Sequence, residues 1–225
     1  MNTLSQRAAV KTAAFLVLLG CLTFAFAGTI HFWQGWLFWL SFSAAVIAIT
    51  AYLLRHDPAL VERRMRAGPG AESRPRQKIV QAINLLMFFG IVIVPGLDHR
   101  FGWSQVPTGL VVVADLFMVA ALGFILIVVR ENTFAASTIT VERGQRVIST
   151  GPYAHIRHPM YAGALPLIFA IPIALGSWWG LLVAAISPPM LIARILDEER
   201  ALSAELAGYD NYRRAVPYRL IPLVW

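Results

Sequence analysis

Charge is scarce in this 225-residue chain: only 14% of its residues are Asp, Glu, Lys or Arg, against about 25% in an ordinary soluble domain. Too few polar residues remain to cover a water-facing globular surface. Cysteine is almost absent. The one copy, Cys21, lies inside an apolar run, which excludes an intrachain disulfide framework and a cysteine-based zinc site; it reads as a small buried hydrophobe. There is no G-x-G-x-x-G after a strand pattern, so no soluble dinucleotide-binding fingerprint. No internal repeat or low-complexity segment is present. What is abundant is apolar side chain, at 58% of the residues, with a mean hydropathy of +0.64. That excludes a disordered chain and points to an integral membrane protein.

A spanning helix needs about 20 mostly apolar residues. Four such runs occur in the first part of the chain, at 12–30, 33–54, 79–97 and 106–129. The second opens with Trp33, Trp36 and Trp39, an aromatic-belt position. Residues 160–193 carry no charge and are too long for one span. Their middle holds Gly176-Ser177, a turn signal, and Trp178-Trp179, an interface signal. A helical hairpin is expected, with spans at 160–175 and 178–196. With six spans and a cytoplasmic N-terminus, 18 of the 19 basic residues fall inside and only Arg100 falls outside, as the positive-inside rule asks. Five spans would put the C-terminal arginines outside. The net charge of +7 therefore reports topology and anionic headgroups, not nucleic acid. The expected architecture is an all-α membrane protein of about six transmembrane helices with both termini cytoplasmic. It forms one domain over 1–225: four N-terminal spans over 1–129, with a basic 55–78 loop that starts with an interfacial piece at 58–66, and a catalytic part over 130–225.

Two segments expected on the cytoplasmic side hold most of the remaining polar chemistry. In the first, Pro159 suits the first position of a helix, with His158 at the cap. The amides of Met160 and Tyr161 would then be free at the positive end of a helix dipole, a site for carboxylate or phosphate, with Arg157 beside it as a bidentate donor. The plain alternative has Arg157 and His158 only anchoring the helix at the headgroups. In the second, Arg194 and Glu198 are i and i+4 on one helix face, and Asp197-Glu198-Glu199 follow on the aqueous side. Read plainly, this is a solvated helix end. Read functionally, it offers a carboxylate for an ammonium or ribose hydroxyl and an arginine for an anionic substrate. Asp115, inside the fourth span, reads as a structural carboxylate bonded to a neighbouring helix.

The ordered set Gly151-Pro152-Tyr153, Arg157-His158-Pro159-Met160-Tyr161, Arg194 with Glu198-Glu199, and Tyr209, Tyr212, Val216-Pro217 and Ile221-Pro222 resembles the isoprenylcysteine carboxyl methyltransferase family. These are integral membrane enzymes that use S-adenosylmethionine and are related to phospholipid N-methyltransferases. The likeness covers residues 130–225; the first half matches only in span pattern and in the Asp57-Pro58 to Arg63 loop. The resemblance implies a cofactor site of Gln145, Arg146, Val147 and Ile148, then Tyr153, then His158, Pro159, Met160 and Tyr161, with Glu198 from the last helix and Thr138 as an outlying contact. It places Arg194 toward the substrate. Gln145 departs from the histidine usual in relatives.

By that resemblance the reaction is methyl transfer to a lipophilic acceptor arriving from the bilayer, most simply an isoprenylcysteine-type carboxylate. A carboxylate is already ionised at neutral pH and needs no base, and Arg194 would orient it. A phospholipid amine would have to lose a proton, to Glu199 or His158. Two further readings stand beside this: an NADPH-dependent membrane reductase, and a non-catalytic lipid-binding membrane protein.

Overall fold

The computed structural model describes residues 3–65, 70, 75–134 and 144–225. Among them there is no strand, and the helices run α1 Thr3–Ala27, α2 Trp33–His56, α3 Pro58–Arg64, α4 Pro75–Phe101, α5 Thr108–Glu131, α6 Pro159–Ala174, α7 Gly180–Ala184, α8 Ser187–Glu205 and α9 Tyr209–Ala215. Five stretches are long and apolar enough to cross a membrane: α1, α2, α4, α5 and the nearly continuous Gly180–Glu205 formed by α7 and α8. α6 is the short sixth, at 16 residues, or roughly 24 Å of rise. This is an integral membrane protein. The spans start and end further out than hydropathy alone suggests. α1 begins at Thr3, because Arg7 and Lys11 continue the helix beyond its apolar run.

The expected hairpin is present. Gly176 turns the chain at φ +76°, a left-handed conformation that glycine adopts at little cost. Between α7 and α8 the chain slips out of α-helix for two residues. Pro188 and Pro189 follow at the start of α8 and cannot donate back to α7; the Ser187 hydroxyl donates to the Ala184 carbonyl across the junction at 2.6 Å.

The core lies between α1, α2, α4, α5 and α6, around Leu19, Phe38, Ile91, Met118 and Ile171. α6 approaches α5 closely at Gly163, where a Cβ would come within 2.8 Å of the Phe124 ring; small residues permit such contacts between membrane helices. Asp115 is buried and accepts from the Ser41 hydroxyl at 2.9 Å, so it ties α5 to α2. Cys21 corrects the sequence reading: it is exposed on the outer face of α1, because that helix shows most of its apolar surface outward, as lipid contact permits.

The interfacial piece is α3. Asp57 caps it, accepting from the Leu60 amide at 2.9 Å, and Pro58 takes the first turn. Leu60 and Val61 are buried. Arg63 donates to the Thr133 carbonyl at 2.6 Å, and the Lys11 ammonium reaches the Met65 carbonyl at 3.3 Å. α3 is thus fixed against α1 and the end of α5. Its end of the bundle gathers the polar chemistry.

Candidate active site

α6 starts where expected, with Pro159 first and His158 at its cap. One detail differs. The Tyr161 amide donates to the His158 carbonyl at 3.1 Å, a tight first turn that removes it as a free anion donor. The preceding segment is held by the end of the chain: the Arg157 and His158 amides donate to the Tyr218 and Arg219 carbonyls, each at 2.9 Å. Further back, the Thr150 hydroxyl donates to Glu131, and Gly151 takes φ +56° with the Glu131 side chain against it. These contacts deliver Tyr153 inward, where it is buried. Its hydroxyl accepts from Asn132 at 3.2 Å, and its carbonyl accepts from the Tyr212 hydroxyl at 2.8 Å.

Adjacent carboxylates on α8 have different fates, because successive residues on a helix point about 100° apart. Glu199 is buried. It accepts from Arg157 Nε at 2.7 Å and Arg219 Nε at 2.9 Å, with His158 Nε2 at 3.4 Å. Arg157 also donates to the Val216 carbonyl at 2.7 Å. Glu199 and Arg157 therefore lock α8, the approach to α6 and the C-terminal segment together. Glu198 is half-buried and faces α6, where the Tyr161 hydroxyl donates to it at 2.7 Å. The same hydroxyl accepts from Arg194 Nε at 2.9 Å. Arg194 is buried and also donates to Gln77 Oε1 at 3.4 Å, while Gln77 Nε2 donates to Asp197 at 2.5 Å. A chain of hydrogen bonds thus runs Glu198, Tyr161, Arg194, Gln77, Asp197 across α8, α6 and α4.

Tyr161 and Arg194 stand at the polar end of a cavity of about 450 Å³ between α2, α4, α5, α6 and α8. Its body is apolar, with Phe42, Met87, Ile91, Leu122 and Ile171 in the wall; its polar end adds Arg64, Gln81, Asn84 and Ser187. Burial lowers the pKa of Arg64 from its ordinary value, with Tyr153 and Tyr161 acting in the opposite sense.

Several residues named from the sequence come together here. Met160, Tyr161 and Arg194 line the cavity, and Glu198 is one hydrogen bond away. Val147 packs against the Leu206, Tyr209 and Tyr212 cluster, which carries the 145–148 stretch alongside α9. Glu198 and Glu199 both act on the Tyr209 phenol, which is buried and pushed upward in pKa first by burial and then by these carboxylates. Pro159 and His158 sit directly behind Tyr161, the His158 ring stacked on it at 5.7 Å. Gln145 and Ile148 are half-buried and Arg146 is exposed. Thr138 lies outside the described residues. Arg157 does not stand free beside the helix start; it is spent on Glu199 and Val216.

Residues missed by the sequence reading come mainly from the first half. Gln77, Gln81 and Asn84 are i, i+4 and i+7 on one face of α4, a spacing that puts polar groups in register along a helix. Three amides on one stripe of an apolar span were the available signal. Arg64 counted only as a charge in the basic loop.

No curated protein matches the chain. Residues 109–207, which run from α5 through α6 and α8 and include Tyr153, Tyr161, Arg194 and Glu198, match the family model described as PEMT, phospholipid methyltransferase, a family related to the isoprenylcysteine carboxyl methyltransferases; that part of the chain is similar to membrane methyltransferases.

Proposed function

We propose that the protein transfers a methyl group from S-adenosylmethionine to the acid group of a lipophilic acceptor that enters from the bilayer, at a site facing the cytoplasm. The observation that carries this reading is the Tyr161 hydroxyl, which joins Glu198 to Arg194 at the polar end of an apolar cavity. One side of that junction suits a cationic amine and the other an anion.

The residues present fit the cofactor. Glu198 is a half-buried carboxylate suited to its ammonium group, since charge-assisted hydrogen bonds are roughly twice as strong as neutral ones. Among the described residues the Tyr209 hydroxyl is buried without a hydrogen-bond partner, an unsatisfied donor within the field of both carboxylates. Tyr153 and Val147 close the same region. When bound, the cofactor supplies an electrophilic methyl on a sulfonium. Transfer to an acceptor carboxylate, already ionised at neutral pH, would leave the chain's own residues no proton to remove. The protein's part is alignment and exclusion of water. Arg194 orients the acceptor carboxylate, and Tyr161 fixes the Arg194 guanidinium.

The family match favours a second reading, N-methylation of a phospholipid amine. An amine must first lose its proton, and the described residues lining the cavity include no carboxylate and no histidine. Glu199 and His158 face each other, and Glu199 is further engaged by Arg157 and Arg219. This supports the acid acceptor.

The test is calorimetric binding of S-adenosylmethionine to detergent-purified protein beside Glu198→Ala. Losing a hydrogen bond to a charged group costs about 1.5–3 kcal/mol, so the variant should bind roughly tenfold to a hundredfold more weakly while its helical signal persists. Equal affinity in the two proteins would refute the assignment of Glu198. A melting-temperature shift with a nicotinamide dinucleotide and none with S-adenosylmethionine would favour the reductase reading, and no shift with either would favour the lipid-binding one.

A further inference from the structure

Two tyrosines on α9, Tyr209 and Tyr212, share one buried cluster and end differently. The Tyr212 hydroxyl donates to the Tyr153 carbonyl at 2.8 Å. Tyr209 is only 4% exposed, with its ring 5.9 Å from that of Tyr212. Its hydroxyl meets no hydrogen-bond partner among the described residues. Buried polar groups are paired as a rule, and leaving one unpaired is costly. Nor is the ring loosely placed. Gly208 turns the chain into α9 at φ +85°, Leu206 and Val216 are buried in the same cluster from either side of the helix, and Val147 packs against it. A phenol held from so many sides, with its O–H unanswered, is arranged as a donor kept for a ligand.

The surroundings point to the ligand's chemistry. Burial, then Glu199 and Glu198, push the Tyr209 phenol upward in pKa, and Arg157 acts in the opposite sense. The two carboxylates are not equivalent. Glu199 is met by Arg157 Nε at 2.7 Å and Arg219 Nε at 2.9 Å, so its charge is compensated within the fold. Glu198 accepts from the neutral Tyr161 hydroxyl at 2.7 Å. A cation is therefore favoured at Glu198, while a donor hydroxyl close to a compensated carboxylate can serve an anion. A group that carries both charges side by side, an α-amino acid end, matches that pattern, and S-adenosylmethionine has one.

We propose that Tyr209 is a cofactor-binding residue: its hydroxyl donates to the carboxylate at the amino-acid end of S-adenosylmethionine, while Glu198 takes the ammonium group of the same end. The proposal rests on the methyl-transfer reading. It extends the cofactor site to α9, beyond the matched residues 109–207. Because a hydrogen bond to a charged group is stronger than a neutral one, the single hydroxyl carries a measurable share of the affinity.

The experiment is calorimetric titration of the full chain in a neutral detergent with two probes. One is S-adenosylmethionine; the other is its decarboxylated form, which keeps the ammonium and the sulfonium but lacks the carboxylate. Tyr209→Phe keeps the ring and removes the hydroxyl. It should bind S-adenosylmethionine about tenfold more weakly and bind the decarboxylated form as the parent does. Glu198→Ala should weaken both, since both probes carry the ammonium. Without ligand, Tyr209→Phe should melt no lower than the parent, because the hydroxyl gives up no bond within the described fold; a purely structural hydroxyl would lower the melting temperature and leave the ratio of the two affinities unchanged. Parent-like affinity for S-adenosylmethionine in Tyr209→Phe overturns the proposal and leaves methyl transfer standing, and so does an equal loss for the two probes. A parent that binds neither probe overturns the methyl-transfer reading, and the assignment of Tyr209 falls with it.

Discussion

Two buried carboxylates hold the opposite ends of this bundle, and they are built differently. At the end away from the cavity's polar head, Asp98 accepts from the Ser104 amide and hydroxyl, both at 2.6 Å, and from the Ser177 hydroxyl at 2.5 Å. It staples the end of α4 to the following loop and to the hairpin turn with neutral donors. At the other end, Glu199 performs the same stapling with two arginines and a histidine. The difference shows what the end proposed to hold the active site demands. Holding several cationic side chains close together in a partly apolar setting needs a buried counter-charge, and with Glu199 committed to that structural task its neighbour Glu198 turns instead to Tyr161, the position the proposed function uses.

The comparison is tested most severely at Glu199. Glu199→Ala strands Arg157, a buried cation, with carbonyl acceptors alone. Breaking a buried pair by removing one partner costs about 3–5 kcal/mol, and the loss should appear as a lowered unfolding free energy in mixed micelles. Protease should then reach residues beyond α8 first, because Arg157 also holds the Val216 carbonyl. A loss under about 1 kcal/mol would mean the cations find water, and the contrast between the two ends would collapse.

Asp98→Asn is the matching experiment at the far end, with a smaller expected effect. The amide keeps one accepting oxygen but turns an NH₂ toward donors. Leaving a buried donor unsatisfied costs about 1–3 kcal/mol. Melting should drop modestly, with S-adenosylmethionine affinity unchanged, because the knot lies across the bundle from Glu198. A change in that affinity would show that the two ends are coupled.

The two ends also differ in how far they could be read in advance. Apolar run length gives the spans, and Gly176-Ser177 marks the hairpin turn, because both are local properties of the backbone in lipid. Pro159 announces the start of α6 for the same reason: its ring acts on its own residue and the one before. The partners of Arg157 were not legible. Glu199 and Val216 lie 42 and 59 residues away, and nothing local distinguishes a headgroup anchor from a buried clamp. The amides Gln77, Gln81 and Asn84 were hidden by averaging, since a hydropathy window over an otherwise apolar span absorbs them. Arg64 was hidden by its company among six other basic residues of the 55–78 loop, where charge looks like topology. Asp98 carries no motif at all; its serine partners come from separate loops.

The smallest test uses alkali. Burial pushes the Tyr153 phenol up to about 12 from an ordinary 10.0, and Tyr209 and Tyr212 move the same way for the same first cause. A raised phenol pKa means the folded state holds its proton longer than the unfolded chain does. The stabilisation is therefore complete below about pH 10 and is lost as the pH climbs toward about 12. For Tyr153 alone the loss by pH 11 is about 1.4 kcal/mol. The Asp98 knot takes all its donors from serines, which do not titrate in this range, so alkali should loosen the Tyr153 end before the far end. Amide hydrogen exchange should accelerate at residues 151–158 before it does at residues 98–104, and Tyr153→Phe should remove one late-titrating phenol from the tyrosinate absorbance. Simultaneous loosening of both regions would mean that the bundle yields as a single unit and that its two carboxylate staples do not act independently.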